Sequence, residues 1–227
     1  MSATYPLIPC LPVLLEDEYL LVVNKPSGML SQPGKTEDGS VLTRVQESGR
    51  SLHGPVLVHR LDMDTSGLLV LAKTRNVHRA LQQQFEKRKV RKRYRARLER
   101  AIDAMGGRVH LPVRLDVENR PTQIVCPLHG KLSTTLWHRA DVSDARTIAL
   151  YPITGRTHQL RVHSASAQGL GIPICGDRLY GSASKGGQNS SASQPVTTSR
   201  LLLHADFLEF EHPVLQTLRS IASPAPF

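Results

Sequence analysis

His59-Arg60-Leu61-Asp62-Met63-Asp64-Thr65-Ser66-Gly67-Leu68-Leu69-Val70 is the stretch on which the reading of this chain turns. It opens on two basic or titratable side chains, places carboxylates at Asp62 and Asp64, and turns at Ser66-Gly67 into an apolar run that ends at Ala72. Val56-Leu57-Val58 precedes it. The polar cluster is therefore expected in a loop between two buried strands. Polar side chains held between rigid elements are a common way to build a site. The plainer alternative is a turn in which Asp64 caps the backbone at Ser66 or Gly67 and Arg60 pairs with a carboxylate. Spacing alone leaves both open.

Charge narrows the class of partner. The 227 residues carry a formal net charge of +10, which suggests a polyanion, most commonly nucleic acid. A basic enzyme that is merely soluble is the other reading. Much of the charge is concentrated in Lys87 to Arg100. If Val90 to Leu98 is a strand, Arg91, Arg93, Arg95 and Arg97 project from one face, and Val90, Tyr94, Ala96 and Leu98 from the other. Four guanidinium groups on one face need anions, and phosphates would serve, giving affinity with little sequence choice. A charge-guarded edge strand is the alternative. Tyr94 reads by default as a core aromatic with a satisfied hydroxyl.

Cys10, Cys126 and Cys175 are odd in number, far apart and free of C-x-x-C spacing, which argues against a disulfide framework and fits a reducing compartment. No apolar run approaches about 18 residues and no secretory leader is evident, so the cytoplasm is expected and a membrane span is not. His158 and His163 stand at i, i+5, a poor spacing for one helix face, so no metal is expected with His59 as third ligand. These histidines are expected to bond backbone or nucleic-acid groups. Lys25 reads as a surface charge.

The length suits one domain over 1–227, its core drawn from the 40% of residues that are apolar. A hairpin is expected around Glu16-Asp17-Glu18 and a short helix from Ser40 to Gln46. A second helix, capped by Asn76, should run to about Arg88 on the stripe Val77, Ala80, Leu81, Gln84 and Phe85. Strands are expected near 90–98, 108–113, 133–141 and 147–151, and a helix from Thr157 to Gln168 closed by Gly169. Together these predict an α+β fold with a mixed, largely antiparallel central sheet and flanking helices. The Ser/Gly-rich insert 182–199 buries little and reads as a flexible surface loop.

The opening stretch resembles the H-R-L-D-x-x-T-S-G-L motif of the RluA-type pseudouridine synthases. Lys25-Pro26-Ser27-Gly28, Lys92-Arg93-Tyr94-Arg95-Ala96, Thr154-Gly155-Arg156-Thr157-His158-Gln159-Leu160-Arg161-Val162-His163, and Arg200 to Ala205 with His212-Pro213 resemble further family elements in the family's order. The last of these corresponds to the family's final strand. Asn119-Arg120-Pro121 and the short N-terminus look most like members with both rRNA and tRNA substrates. Too little chain precedes His59 for the N-terminal S4 module of other relatives.

The resemblance implies the pseudouridine synthase catalytic fold and isomerisation of uridine in a structured RNA, without cofactor. It implies Asp62 as the carboxylate that attacks C1′ or removes a ribose proton. Arg60 would take the displaced base's place, with His59 beside it, and Tyr94 would pack on the target base. Arg156 would pair with Asp62, and Lys25 would make a structural or phosphate contact without acting as a catalyst. Two unit charges about 4 Å apart attract by about 4 kcal/mol at an effective dielectric near 20, so the aspartate should be ionised. The expected partner is a hairpin loop of rRNA or tRNA, bound by a monomer. A non-catalytic RNA-binding protein and a carboxylate-dependent glycoside or nucleoside hydrolase are the alternatives from other classes.

Overall fold

A computed structural model describes residues 11–34, 39–185 and 198–227. Cys10, part of Gln32 to Asp38, whose sequence reads as turn-rich, and most of the 182–199 insert lie outside them. The strands are β1 (Val13–Glu16), β2 (Leu20–Lys25), β3 (Ser66–Ala72), β4 (Arg91–Arg97), β5 (Gly106–Leu115), β6 (Gln123–Val125), β7 (Lys131–Arg139), β8 (Thr147–Pro152), β9 (Leu203–Glu211) and β10 (Leu218–Ala222). The α-helices are α1 (Val41–Glu47), α2 (Arg75–Glu86) and α3 (Gln159–Ala165). All ten strands join one sheet in the order β1-β2-β3-β9-β4-β8-β7-β5-β6, with β10 also on β9. Every pairing of named strands is antiparallel except β3 with β9, so the expected α+β class and mixed sheet hold.

The apolar run after Gly67 becomes β3, buried along its whole length. Leu68 and Val70 face one cluster with Val77 and Leu81 of α2, while Leu69 and Leu71 face another with Val41 and Val45 of α1. A strand covered on both faces needs apolar residues at consecutive positions, which explains the missing alternation. A third cluster fills the other half of the sheet, where Ala96, Leu98, Trp137, Ile148 and Leu150 pack with Leu160 of α3.

The hairpin at Glu16–Glu18 forms, its turn closed by the Asp17 carboxylate accepting from the N–H groups of Tyr19 and Leu20 at 2.8 and 2.9 Å. The short helix expected from Ser40 forms as α1, with Ser40 as its cap and Ser40 Oγ accepting from Thr43 N–H. The α2 cap is Thr74, not Asn76. Thr74 keeps extended dihedrals and accepts from Val77 N–H at 3.4 Å, because the chain turns two residues after leaving β3. Val56–Val58 is not a strand. After Ala72 N–H bonds Val56 O and Leu57 bridges Leu71, the His59 ring accepts the next N–H, that of Val70, and ends the ladder. α3 is shorter than the 157–168 expected from sequence. β6 and β10 had no sequence signal, and β10 follows β9, which the sequence reading took as the last strand. Cys126 and Cys175 are unpaired.

Candidate active site

The Asp62 loop is fixed almost peptide by peptide from the segment following β2. Ser31 Oγ donates to Leu61 O at 2.8 Å and accepts Leu61 N–H at 3.0 Å. Ser27 Oγ donates to Asp64 O at 2.6 Å. Met63 O receives two donors, Gly28 N–H and Lys25 Nζ, both at 2.9 Å. Lys25 is no surface charge: it is 0% exposed and its ammonium also reaches Pro26 O at 2.9 Å and Met29 O at 2.6 Å. Burial pushes its pKa down to about 7 against the pull of Asp62 and Asp64. Three carbonyl acceptors occupy all three ammonium N–H groups, so the protonated form satisfies the cage.

A cleft of about 490 Å³ opens beside this loop, within the range of small-molecule sites. Asp62, Tyr94 and Arg156, remote in sequence, line it together, with His59 and Arg60. Burial and the Asp62 charge raise the Tyr94 pKa, so its hydroxyl keeps its proton. The same charge acts on His158, Arg161 and Tyr180. Arg60 and Arg156 are exposed on the cleft wall.

One expected pairing is not formed. The Asp62 carboxylate makes no ion pair with Arg156 within 4.0 Å, nor any hydrogen bond with a described residue. Arg156 is instead held through its backbone. Gln159 Oε1 accepts from Arg156 N–H at 3.0 Å and Thr154 Oγ1 at 2.8 Å, while its Nε2 donates to Thr134 O and Thr135 Oγ1, both at 3.0 Å. This fully used amide ties the loop to β7 and delays the start of α3. His59 spends its Nε2 on Val70 N–H at 3.1 Å and stacks on Phe85 of α2, ring centres 4.5 Å apart. Burial lowers its pKa to about 3, so it braces the cleft wall as a neutral ring.

The arginine stripe of β4 forms, but none of the four lines the cleft. The anions they need come from the protein itself. Arg91 pairs with Glu209 at 3.1 Å, Arg93 and Arg95 with Asp206 at 3.0 and 3.6 Å, and Arg97 with Asp144 at 3.8 Å. The repulsion invoked for phosphates is thus met by β9 and the turn before β8. Cleft-side basic groups are Lys92, Arg88, Arg60 and Arg156.

Sequence reasoning passed over the group behind the cleft. Arg161, 2% exposed, grips Asp177 through Nε and Nη2 at 2.8 and 2.7 Å and lies over the Tyr180 ring. Tyr180 Oη accepts from Gln123 N–H at 2.7 Å and meets His158 Nδ1 at 2.8 Å. His158 sits in the left-handed region at φ 53°, a strained placement for a non-glycine residue and a mark of functional sites. The signal was present in His158 and Arg161, three apart in one motif, and in Asp177 of the Gly176-Asp177 turn. Among the described residues no group of three or more His, Cys, Asp or Glu side chains is arranged to hold a metal.

Asp62 and Tyr94 thus line one cleft together with the basic side chains of Arg60, Arg88, Lys92 and Arg156. The profile of the family described as RNA pseudouridylate synthase matches residues 19–166, and the chain belongs to that family. It is 41% identical over 230 residues to the dual-specificity RNA pseudouridine synthase RluA of Vibrio parahaemolyticus, covering 98% of this chain and 86% of that one. To the protein of the same name from Escherichia coli K12 it is 42% identical, covering 96% and 95%. The solved structure of human RNA Pseudouridylate Synthase Domain Containing 1 superposes with a TM-score of 0.74 at 26% identity, over 96% of this chain and 84% of that one.

Proposed function

We propose that this chain converts uridine to pseudouridine in hairpin loops of large-subunit rRNA and tRNA, with Asp62 as the acting carboxylate. Family membership makes the chemistry an isomerisation. The bond from ribose C1′ to uracil N1 breaks, the base turns, and a bond from C1′ to C5 forms. N1 takes up a proton and C5 gives one up, so no electron donor or acceptor is consumed. Asp62 attacks C1′ or takes a ribose proton. Tyr94, its hydroxyl protonated, packs on the base and assists the proton transfer at C5. Arg60 fills the place the base leaves, and Arg156 approaches Asp62 once RNA occupies the cleft. Flipping the base costs a few kcal/mol, least in a loop where stacking is already poor.

One observation carries this reading: Asp62 and Tyr94 share a cleft whose walls include Arg60, Arg88 and Arg156. The choice of rRNA and tRNA is supported by the two RluA relatives, each described as dual-specificity. Action in the cytoplasm, as a monomer, belongs to the same proposal. It accords with unpaired Cys126 and Cys175 and with no described helix long and apolar enough to cross a membrane.

The test incubates uridine-labelled rRNA and tRNA transcripts with the protein, then digests them to nucleosides. Pseudouridine is expected; free uracil would indicate a hydrolase, and unchanged nucleosides a binding protein. Asp62→Asn is expected to keep RNA affinity and lose turnover.

A further inference from the structure

Two groups within the Asp62 turn lack partners. Thr65 Oγ1 is shielded from solvent and has no hydrogen-bond partner among the described residues. Its residue is only 2% exposed, yet it lines the cleft. Three positions earlier, the Asp62 carboxylate stands in that cleft without a hydrogen bond or ion pair to a described residue. The turn between them is rigid, because Thr65 N–H donates to Asp62 O at 3.1 Å and the clamps from Lys25, Ser27 and Ser31 hold the peptides on either side.

A buried hydroxyl without a partner carries a desolvation penalty that a fold has no reason to keep unless the group is used. The occluded oxygen is out of reach of an incoming RNA atom while the turn keeps its shape. Asp62, three residues earlier on the same turn, lines the same cleft, and a carboxylate accepts several donors. We propose that Thr65 is a positioning residue whose hydroxyl donates to the Asp62 carboxylate when the target nucleotide enters the cleft. The bond aims the carboxylate at the sugar and favours its ionised form. Arg156 would supply charge to the same group, and Thr65 direction. This inference rests on the isomerase reading above.

The test uses the full chain and a transcript that the wild type modifies. Thr65→Val removes the hydroxyl and keeps the branched shape; Thr65→Ser keeps the hydroxyl. Thr65→Val should lower the single-turnover rate at saturating RNA by about ten-fold or more, as expected for loss of a hydrogen bond to a charged group. Its acid limb should move to higher pH, its RNA affinity should stay within about two-fold, and its thermal midpoint should not fall, since no native partner is lost. Thr65→Ser should restore the rate to within about three-fold of wild type and return the acid limb to its place.

A wild-type rate and pH profile in Thr65→Val would overturn the proposal. So would a Thr65→Ser variant as slow as Thr65→Val, which would make the methyl group the important part, or a loss of RNA affinity in place of rate. Should Thr65→Val not fold, Thr65→Ala takes its place against the same serine control. Wild-type protein that forms no pseudouridine on any transcript would instead overturn the isomerase reading, and this inference with it.

Discussion

Lys25 shows how a single side chain organises the site. Its charge marks it in sequence for the surface, where lysine is ordinarily found. Only the three carbonyls around its Nζ reveal that it is internal. Lys25→Met should leave the Pro26 and Met29 carbonyls without a donor. The lost bonds outweigh the relief of a buried charge, so a destabilisation of about 2–4 kcal/mol is expected by urea unfolding. Turnover should fall further than RNA affinity, because Met63 O loses one of its two anchors beside Asp62. Arg161 and Asp177 make the complementary case. Arg161→Met alone strands a buried carboxylate and should cost about 3–5 kcal/mol, whereas replacing both partners with apolar residues should recover most of it. A thermal-melt comparison of the single and double variants separates these outcomes. Asp62, Tyr94 and Arg156 were legible as residue types in quoted motifs. The Arg161–Asp177 pair was not, since nothing in the spacing says that two charges 16 residues apart are buried together.

At the scale of elements, β4 separates pattern from purpose. Alternation correctly read four arginines onto one face. It could not tell that Asp206 and Glu209, more than a hundred residues later, would lie on the neighbouring strand. A long-range register supplies the anions, and single-sequence periodicity carries no information about it. Arg93→Gln with Arg95→Gln is therefore expected to lower the thermal midpoint and leave the salt dependence of RNA binding nearly unchanged. Arg60→Gln or Arg88→Gln should each flatten the slope of log affinity against log salt by about 0.7–0.9 where a phosphate contact is lost. Filter binding between 50 and 200 mM salt distinguishes the two sets. Helix ends were legible to within two residues where a hydroxyl caps them, as at Ser40. At α3 the buried Gln159 amide set the boundary, and glutamine gives no cap signal of that kind.

For the whole molecule, acidity acts chiefly through histidines that the fold holds neutral. Burial lowers His59 to about 3 and His163 to about 4, and it lowers His158 and His204 as well, all from 6.5. In that window the unfolded chain binds protons that the native state refuses, so the stability these histidines contribute is whole above pH 6.5 and declines as pH falls toward 4. A fully buried histidine such as His163 contributes a slope of up to about 1.4 kcal/mol per pH unit. Urea midpoints at pH 7.5, 6 and 5 should fall in that order; constant midpoints would contradict the burial argument. The overall α+β layout was legible because strand and helix periods are local. The meeting of the sheet's two halves was not.

That meeting is narrow. The backbone register between β3 and β9 pairs Ser66 with His204 and Gly67 with Ala205. Gly67 has φ 115°, and a Cβ there would fall 2.3 Å from Ala205 O. Gly67→Ala should therefore cost more than about 1 kcal/mol and depress turnover more than its stability loss explains, measured at a temperature where the variant remains folded. Asp62, the carboxylate proposed to act, precedes β3 on one side of this joint, and Tyr94, proposed to hold the base, lies on β4 beside β9 on the other. Their separation is a property of a weld two residues long, and a carbon atom too many there would set the jaws of the enzyme out of true.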